Sequence, residues 1–122
     1  VIDCVLLKRA KDDYVLVLKD NTRPMRNIKV AFAKTPFGPF ENISEPFTDH
    51  LSEGPTVLHK DNYWLIYYDN YGAKNYKAVK TFDFKHFEDV SSQIQLPEGH
   101  KHGTITRISK KTLNHLIEKR KK

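Results

Sequence analysis

The chain contains one hydrophobic segment twice, as YVLVLKD at residues 14–20 and as YWLIYYD at residues 63–69, 49 residues later. A second segment, FENIS at residues 40–44, returns as FEDVS at residues 87–91, an offset of 47 residues. Between them, Ala31 matches Ala78, again 47 residues apart. A repeat of about 50 residues is the length expected of one blade of a β-propeller.

The pattern around the repeated segments predicts four strands in each repeat. In the first repeat the strands are predicted at 4–8, 14–19, 28–33 and 40–43, and in the second at 56–60, 63–68, 76–80 and 87–90. The strand predicted at 14–19 is a nearly continuous Val/Leu run, as expected for a strand covered on both faces. One more strand is predicted at 103–108, and Leu113, Leu116 and Ile117 have the spacing of a short terminal helix.

These elements predict an all-β fold, a partial β-propeller of two four-stranded blades plus the first strand of a third, with a short C-terminal helical tail. The repeats are assigned to 1–50 and 51–98, the start of the third repeat to 99–109, and a basic tail to 110–122. Propellers close with typically 4–8 blades. We therefore expect the missing blades to come from a longer parent chain or from other copies in a homo-oligomer. A small open antiparallel sandwich is the competing fold, and the repeat disfavours it.

Composition excludes several classes of protein. A chain of 122 residues, 39% hydrophobic and 30% charged, is long enough for one small globular domain. No apolar run approaches ~20 residues, so no membrane span is expected. The net charge of +6 lies mostly in the tail, where six basic residues and Glu118 give +5 and leave +1 for residues 1–109. Without a basic surface on the body, no nucleic-acid partner is expected, and the tail is predicted to be a solvated end.

One ionisable side chain precedes the predicted first strand of each repeat, namely Asp3, Glu53 and His102. The first strand of each blade lines the central channel of a propeller, so we expect these groups to meet at one mouth of the channel. Paired carboxylates in a cleft can hydrolyse a glycosidic bond, one by giving a proton to the leaving oxygen. Taken singly, an acidic residue before Gly or Pro is more often a turn residue, and the repeat favours the functional interpretation.

Arg107, His100 and Cys4 also carry side chains that could belong to such a site. Arg107, two residues inside the last predicted strand, is a candidate for substrate binding. His100 would point to the opposite face from His102 if that segment is extended. Cys4, the only cysteine, cannot form an intrachain disulfide and has no evident basic neighbour that would make it a nucleophile.

These residues make the chain similar to the C-terminal part of a glycoside hydrolase of family 43, a five-bladed β-propeller that acts on arabinose- or xylose-containing glycans with inversion. Val-Ile-Asp at 1–3 resembles the family motif whose Asp orients the acid and modulates its pKa. Ser-Glu-Gly-Pro-Thr at 52–56 resembles the motif of the general acid, and His-Gly-Thr at 102–104 the channel motif of the last blade. The segments 35–40 and 84–90 resemble turns before the outer strands.

The resemblance implies that Glu53 is the general acid, that Asp3 is its modulator, and that His102 lines the substrate channel, with calcium or its waters nearby. No other cofactor is implied. Cys4 stands where the family usually has Pro, and Phe40 and Phe87 replace its usual Trp.

The family's general base lies on a first blade for which this chain has no counterpart. The isolated chain is therefore expected to be inactive. The alternative is a non-catalytic carbohydrate-binding or assembly fragment. A periplasmic or extracellular location follows only by analogy with polysaccharide-degrading relatives.

Overall fold

A computed structural model describes all residues from Val1 to Lys122, and its strands form two antiparallel sheets. The first sheet contains, in this order, β1 (Ile2–Ala10), β2 (Asp13–Asp20) and β3 (Asn27–Ala33). The second contains, in this order, β4 (Ser52–Lys60), β5 (Tyr63–Asn70), β6 (Asn75–Thr81) and β7 (Glu88–Asp89). A 3₁₀ turn at Ser91–Gln93 and helix α1 (Lys110–Arg120) follow. Neither helical segment has the length and apolar character needed to cross a membrane. The predicted all-β fold with a C-terminal helix is confirmed.

The repeated hydrophobic segments are the middle strands of the two sheets, β2 and β5. In β2, Val15 and Val17 on one face and Leu18 on the other face are all buried. The hairpin turns before β2 and β5 contain Asp12 and Asp61 at positive φ values of 55° and 54°. Aspartate tolerates this left-handed conformation better than most residues, which explains its place in both turns.

The strand boundaries correct the offset between the two repeats. Adding 50 to the residue numbers of β2 gives β5, and adding 48 to those of β3 gives β6, in agreement with the pairing of these strands. The offset of 49 residues inferred from the hydrophobic segments is therefore wrong by one, and Ala31 corresponds to Val79 and not to Ala78. A slip of one residue moves every side chain to the other face. Strands buried on both faces lack the alternation that would have revealed the slip.

The core lies between the two sheets, where Val15 and Val17 of β2 join Ile66 and Tyr68 of β5 in one buried cluster. With the corrected offset, Ile66 corresponds to Leu16, which lies on the opposite face of β2 from Val15 and Val17. The sheets thus pack through non-equivalent faces, as successive blades do when a rotation relates them. This packing is consistent with a partial β-propeller.

The outer edge of the first sheet differs from the prediction. The segment 40–43 contributes a single bridge to β3 and no strand, so this sheet has three strands and not four. Asn42, at a φ of 52°, turns the backbone out of the extended region. Beyond it, the Ser44 hydroxyl accepts the Val30 N–H at 3.0 Å. A side chain therefore accepts a hydrogen bond from the edge of β3, where a fourth strand would otherwise have paired.

The predicted first strand of a third blade at 103–108 forms no β-ladder. The segment lies beside β4 and makes isolated contacts with it, such as the hydrogen bond from the Ile105 N–H to Thr56 Oγ1 at 3.1 Å. A strand in a blade pairs with the next strand of that blade, and here α1 begins at Lys110 instead. The strand prediction for this segment is therefore wrong for the chain as it stands.

Candidate functional site

Glu53 and Asp3 lie at β-bulges near the starts of β4 and β1. The register of β4 shifts between Glu53 and Thr56, and that of β1 shifts between Ile2 and Val5. Asp3 has a φ of 50°, and the glycine that follows Glu53 has a φ of 57°. A bulge changes the direction in which nearby side chains point. The sequence motifs thus place both carboxylates at strand distortions, as is common next to binding sites.

The structure brings Asp3, Glu53 and His102 together. One side-chain nitrogen or oxygen from each residue lies within 4.8 Å of those of the other two. Asp3 Oδ2 accepts the N–H of Gly54 at 3.1 Å, and His102 Nε2 lies 3.1 Å from Glu53 Oε1. Asp3 therefore contacts the backbone that carries Glu53, whereas His102 contacts the Glu53 carboxylate itself.

Two charged residues that the sequence analysis did not single out complete this cluster. Lys19 of β2 places its Nζ 2.6 Å from Glu53 Oε2, and its side chain is only 4% exposed. Asp69 of β5 places Oδ2 3.8 Å from His102 Nε2. The sequence signal for Lys19 is its place inside a strand that is covered on both faces, because a lysine is almost never fully buried unless it is paired.

Charged neighbours outweigh the effect of burial on the pKa of Glu53. Burial by itself raises the pKa of the Glu53 carboxyl, but the hydrogen bond and the positive charge of Lys19, together with His102, hold that pKa below its ordinary value. Glu53 is therefore a carboxylate at neutral pH. This state differs from the protonated carboxyl that a resting general acid requires.

The cluster opens into a cleft of ≈ 780 Å³ between the β5–β6 hairpin loop and the segment before His102. Its lining combines carboxylates, cations, imidazoles and one phenol: Glu53, Asp69, Tyr71, Lys74, Gly99, His100, Lys101 and His102. Tyr71 also lies over Lys19, with Nζ 5.0 Å from the ring centroid. Most of the lining residues have polar or charged side chains and one wall is aromatic, a combination suited to a hydroxylated ligand.

Arg107 does not reach this cleft. Its Nη2 donates to the backbone carbonyl of His59 at 2.7 Å. His59 lies six residues beyond Glu53 along β4, which corresponds to roughly 20 Å of strand. The structure therefore separates Arg107 from the other sequence-predicted site residues.

The residues around His102 do not fit a calcium ion. Calcium takes six to eight oxygen ligands, but both oxygens of Glu53 already contact Lys19 and His102. The Lys19 ammonium, 2.6 Å from Oε2, would also repel a divalent cation. Asp3 Oδ2 is engaged by the Gly54 N–H. We therefore derive no step through calcium.

Gly54 is predicted to be essential for the contact between Glu53 and His102. A Cβ at this position would lie 2.6 Å from His102 Cδ2, and the φ of 57° is strained for any other residue except Asn or Asp. We expect Gly54→Ala to displace the half-exposed imidazole and to break its hydrogen bond to Glu53. Side-chain ¹⁵N chemical shifts of His102 measure this loss.

Gly99→Ala is the matched control. Gly99 has a φ of 75°, but no atom lies within 4 Å of the added methyl group. This variant should carry only the backbone cost of about 1 kcal/mol and leave the His102 signals unchanged. Unchanged His102 signals in Gly54→Ala would contradict the prediction.

The chain matches a family model described as a probable glycosyl hydrolase domain, related to glycoside hydrolase family 43, over residues 1–114. The fold and the site thus define a mostly β domain with a carboxylate–imidazole cleft. The chain belongs to this family of glycosyl hydrolase-related domains. No significant match was found among curated proteins or among solved structures. Family membership supports a glycoside hydrolase-like function in general.

Proposed function

We propose that this chain provides the proton-donating side of a glycoside hydrolase active site, which cleaves O-glycosyl bonds in arabinose- or xylose-containing glycans with inversion. One observation carries the proposal: three separate segments bring Asp3, Glu53 and His102 within 4.8 Å of one another beside a cleft. The match to a probable glycosyl hydrolase domain over residues 1–114 supports the reaction class.

The proton donor in this proposal is the pair formed by Glu53 and His102. Within this pair, the family resemblance assigns the role of the acid to Glu53. The two groups are 3.1 Å apart, within hydrogen-bonding distance, so a proton can pass directly between them. Asp3 holds the backbone N–H of Gly54 and thereby orients Glu53. A base that activates water on the opposite face of the sugar would come from a further blade, supplied by a longer chain or by another copy.

Azide provides a test that does not depend on this base. In phenyl α-L-arabinofuranoside or phenyl β-D-xyloside, azide would form the new bond at the anomeric carbon while the C–O bond breaks. The phenolate oxygen takes the proton from the Glu53–His102 pair. We expect azide-dependent release of phenol, and Glu53→Gln should lower it by about 10²–10⁴-fold, because phenol is a poor leaving group without a proton.

Two controls make this experiment specific. The 4-nitrophenyl glycosides have a leaving group that needs less protonation, so Glu53→Gln should affect them much less. Glu118→Gln changes an exposed glutamate in α1 and should leave both rates unchanged. Equal rates for Glu53→Gln and the unaltered chain on phenyl glycosides would refute the proposal. Sugar binding without azide-dependent cleavage would indicate a carbohydrate-binding fragment.

The source of the remaining blades is a separate part of the proposal. Light scattering on the 122-residue chain measures the native mass, for which one chain contributes 14.3 kDa. A stable oligomer would mean that several copies complete a ring and share the site. A monomer would assign the missing blades, including the base, to a longer parent chain.

A further inference from the structure

Lys19 is the buried cation at the centre of the cluster. Its side chain extends from the face of β2 that also carries Val15 and Val17, so it crosses the interface between the sheets to reach Glu53. A buried ammonium group is costly unless it is paired and hydrogen-bonded. Here its Nζ lies 2.6 Å from Glu53 Oε2 and 5.0 Å from the centroid of the Tyr71 ring. The fold therefore requires an anionic carboxylate opposite Lys19.

The corrected repeat offset gives Lys19 a counterpart of opposite charge. Adding 50 to its number gives Asp69, at the same position of β5. Lys19 reaches forward to Glu53 in the second sheet, and Asp69 reaches forward to His102 in the segment that follows it. Each middle strand thus places one charged group beside the ionisable residue of the next unit. The Lys19 ammonium faces the Glu53 carboxylate, and the Asp69 carboxylate faces the His102 imidazole.

The imidazole of His102 therefore lies between two carboxylates. Its Nε2 is 3.1 Å from Glu53 Oε1 and 3.8 Å from Asp69 Oδ2. Asp3 and Lys19, from β1 and β2, also belong to this cluster, and Lys74 and Lys101 line the cleft into which it opens. A carboxylate that accepts the N–H of one ring nitrogen fixes the tautomer and leaves the other nitrogen for proton transfer, as in hydrolase triads.

The second ring nitrogen of His102 is available for that transfer. No atom of the chain hydrogen-bonds Nδ1, and the half-exposed ring lines the cleft. When the Nε2–H donates to Glu53, the proton that can pass to a ligand in the cleft is the one on Nδ1. After the transfer, the imidazole is neutral and its Nε2–H still donates to Glu53.

We propose that Lys19 is a positioning residue that keeps Glu53 as a carboxylate, so that the proton delivered to the leaving oxygen is held on His102. The inference rests on the proposed function and refines it by naming the member of the pair that carries the proton. In the azide-supported reaction, the proton moves from Nδ1 to the glycosidic oxygen, which keeps the electron pair of the broken C–O bond. Azide bonds to the anomeric carbon.

The test is a titration of the Glu53 side-chain carboxyl by ¹³C NMR on the whole chain. In the unaltered protein, Glu53 should titrate below the ordinary glutamate value of about 4.3. Its pKa in the folded chain is lowered relative to the unfolded chain, so the Lys19–Glu53 pair stabilises the fold above the unfolded value. That contribution is lost as the pH falls through the folded pKa. In Lys19→Met the midpoint should rise by about one pH unit or more, whereas Lys19→Arg should keep it low.

Lys29→Met is the matched control, because Lys29 is also a poorly exposed lysine in a 2.8 Å ion pair, with Asp20. It should leave the Glu53 midpoint unchanged. A Glu53 midpoint at or above the ordinary value in the unaltered chain would overturn the inference, even if Lys19→Met does not fold. An unmoved midpoint in folded Lys19→Met would also overturn it.

The activity arm separates this inference from the proposed function. With phenyl glycosides and azide, His102→Gln should lose about 10²–10⁴-fold. Full activity of His102→Gln combined with inactive Glu53→Gln would overturn the inference and keep the proposed function. Absence of azide-dependent cleavage in the unaltered chain would refute the proposed function, and the Glu53 titration would still decide whether Lys19 controls its charge.

Discussion

Phe84→Ala is expected to lower the free energy of unfolding by about 3–5 kcal/mol, the usual cost of truncating a buried phenylalanine. Phe84 is 0% exposed and belongs to the cluster between the two sheets. Its ring lies 5.4 Å from that of Trp64, centroid to centroid, and the Arg9 guanidinium lies 5.5 Å from its centroid. Small domains are stable by about 5–15 kcal/mol, so this variant should lose a large part of its stability. Urea denaturation followed by circular dichroism measures the change.

Phe37→Ala is the control for this prediction. Phe37 is 94% exposed in a turn of the first repeat, so its truncation leaves no cavity. We expect a change within about 0.5 kcal/mol, as for most surface substitutions. Equal losses for Phe84→Ala and Phe37→Ala would mean that the inter-sheet core does not hold the two sheets together.

Glu53→Leu is expected to destabilise the chain by about 2–3 kcal/mol, because it leaves the Lys19 ammonium buried without a carboxylate. Removal of one partner of a fully buried ion pair costs about 3–5 kcal/mol. The expected loss is smaller here because the Glu53 side chain is 28% exposed and water screens part of the charge. Urea denaturation at neutral pH gives the free energy of unfolding.

The double variant Lys19→Met/Glu53→Leu should recover most of this loss. Apolar side chains of similar volume can replace a buried ion pair at little cost, because no charge is then left without a partner. Asp49→Leu is the control for an exposed pair: Asp49 is 63% exposed, and Lys77 keeps Asp89 at 3.6 Å. Its cost should stay below about 1 kcal/mol. A double variant as unstable as Glu53→Leu would show that the loss comes from packing and not from the unpaired charge.

Local sequence determined the secondary structure to a large extent. Strongly apolar β-forming segments predicted β2 and β5, and aspartates in short polar segments predicted the hairpin turns before them. The short helix followed from the spacing of Leu113, Leu116 and Ile117. The motifs at Asp3, Glu53 and His102 predicted that three distant side chains meet, because each motif lies near the start of a repeat.

The predictions were wrong where strand pairing decides the outcome. The segments 40–43 and 103–108 have strand-like sequences, but the first pairs with β3 only at Glu41 and the second forms no ladder. Asn42 leaves the extended region at its positive φ, and the Ile105 N–H bonds to the Thr56 side chain instead of to a strand. Propensity describes what a segment tolerates, and a strand exists only when a partner accepts its hydrogen bonds.

The sequence by itself predicted the six long strands, β1 to β6, and the ionisable groups that lie near the start of each repeat. Only the tertiary structure decided which face of β2 meets the second sheet, and therefore that Lys19 lies against Glu53 and Asp69 against His102. The reason is physical: side chains alternate between faces, so a difference of one residue in the repeat reverses every contact across the interface. A continuously apolar strand carries no alternation from which that choice can be inferred.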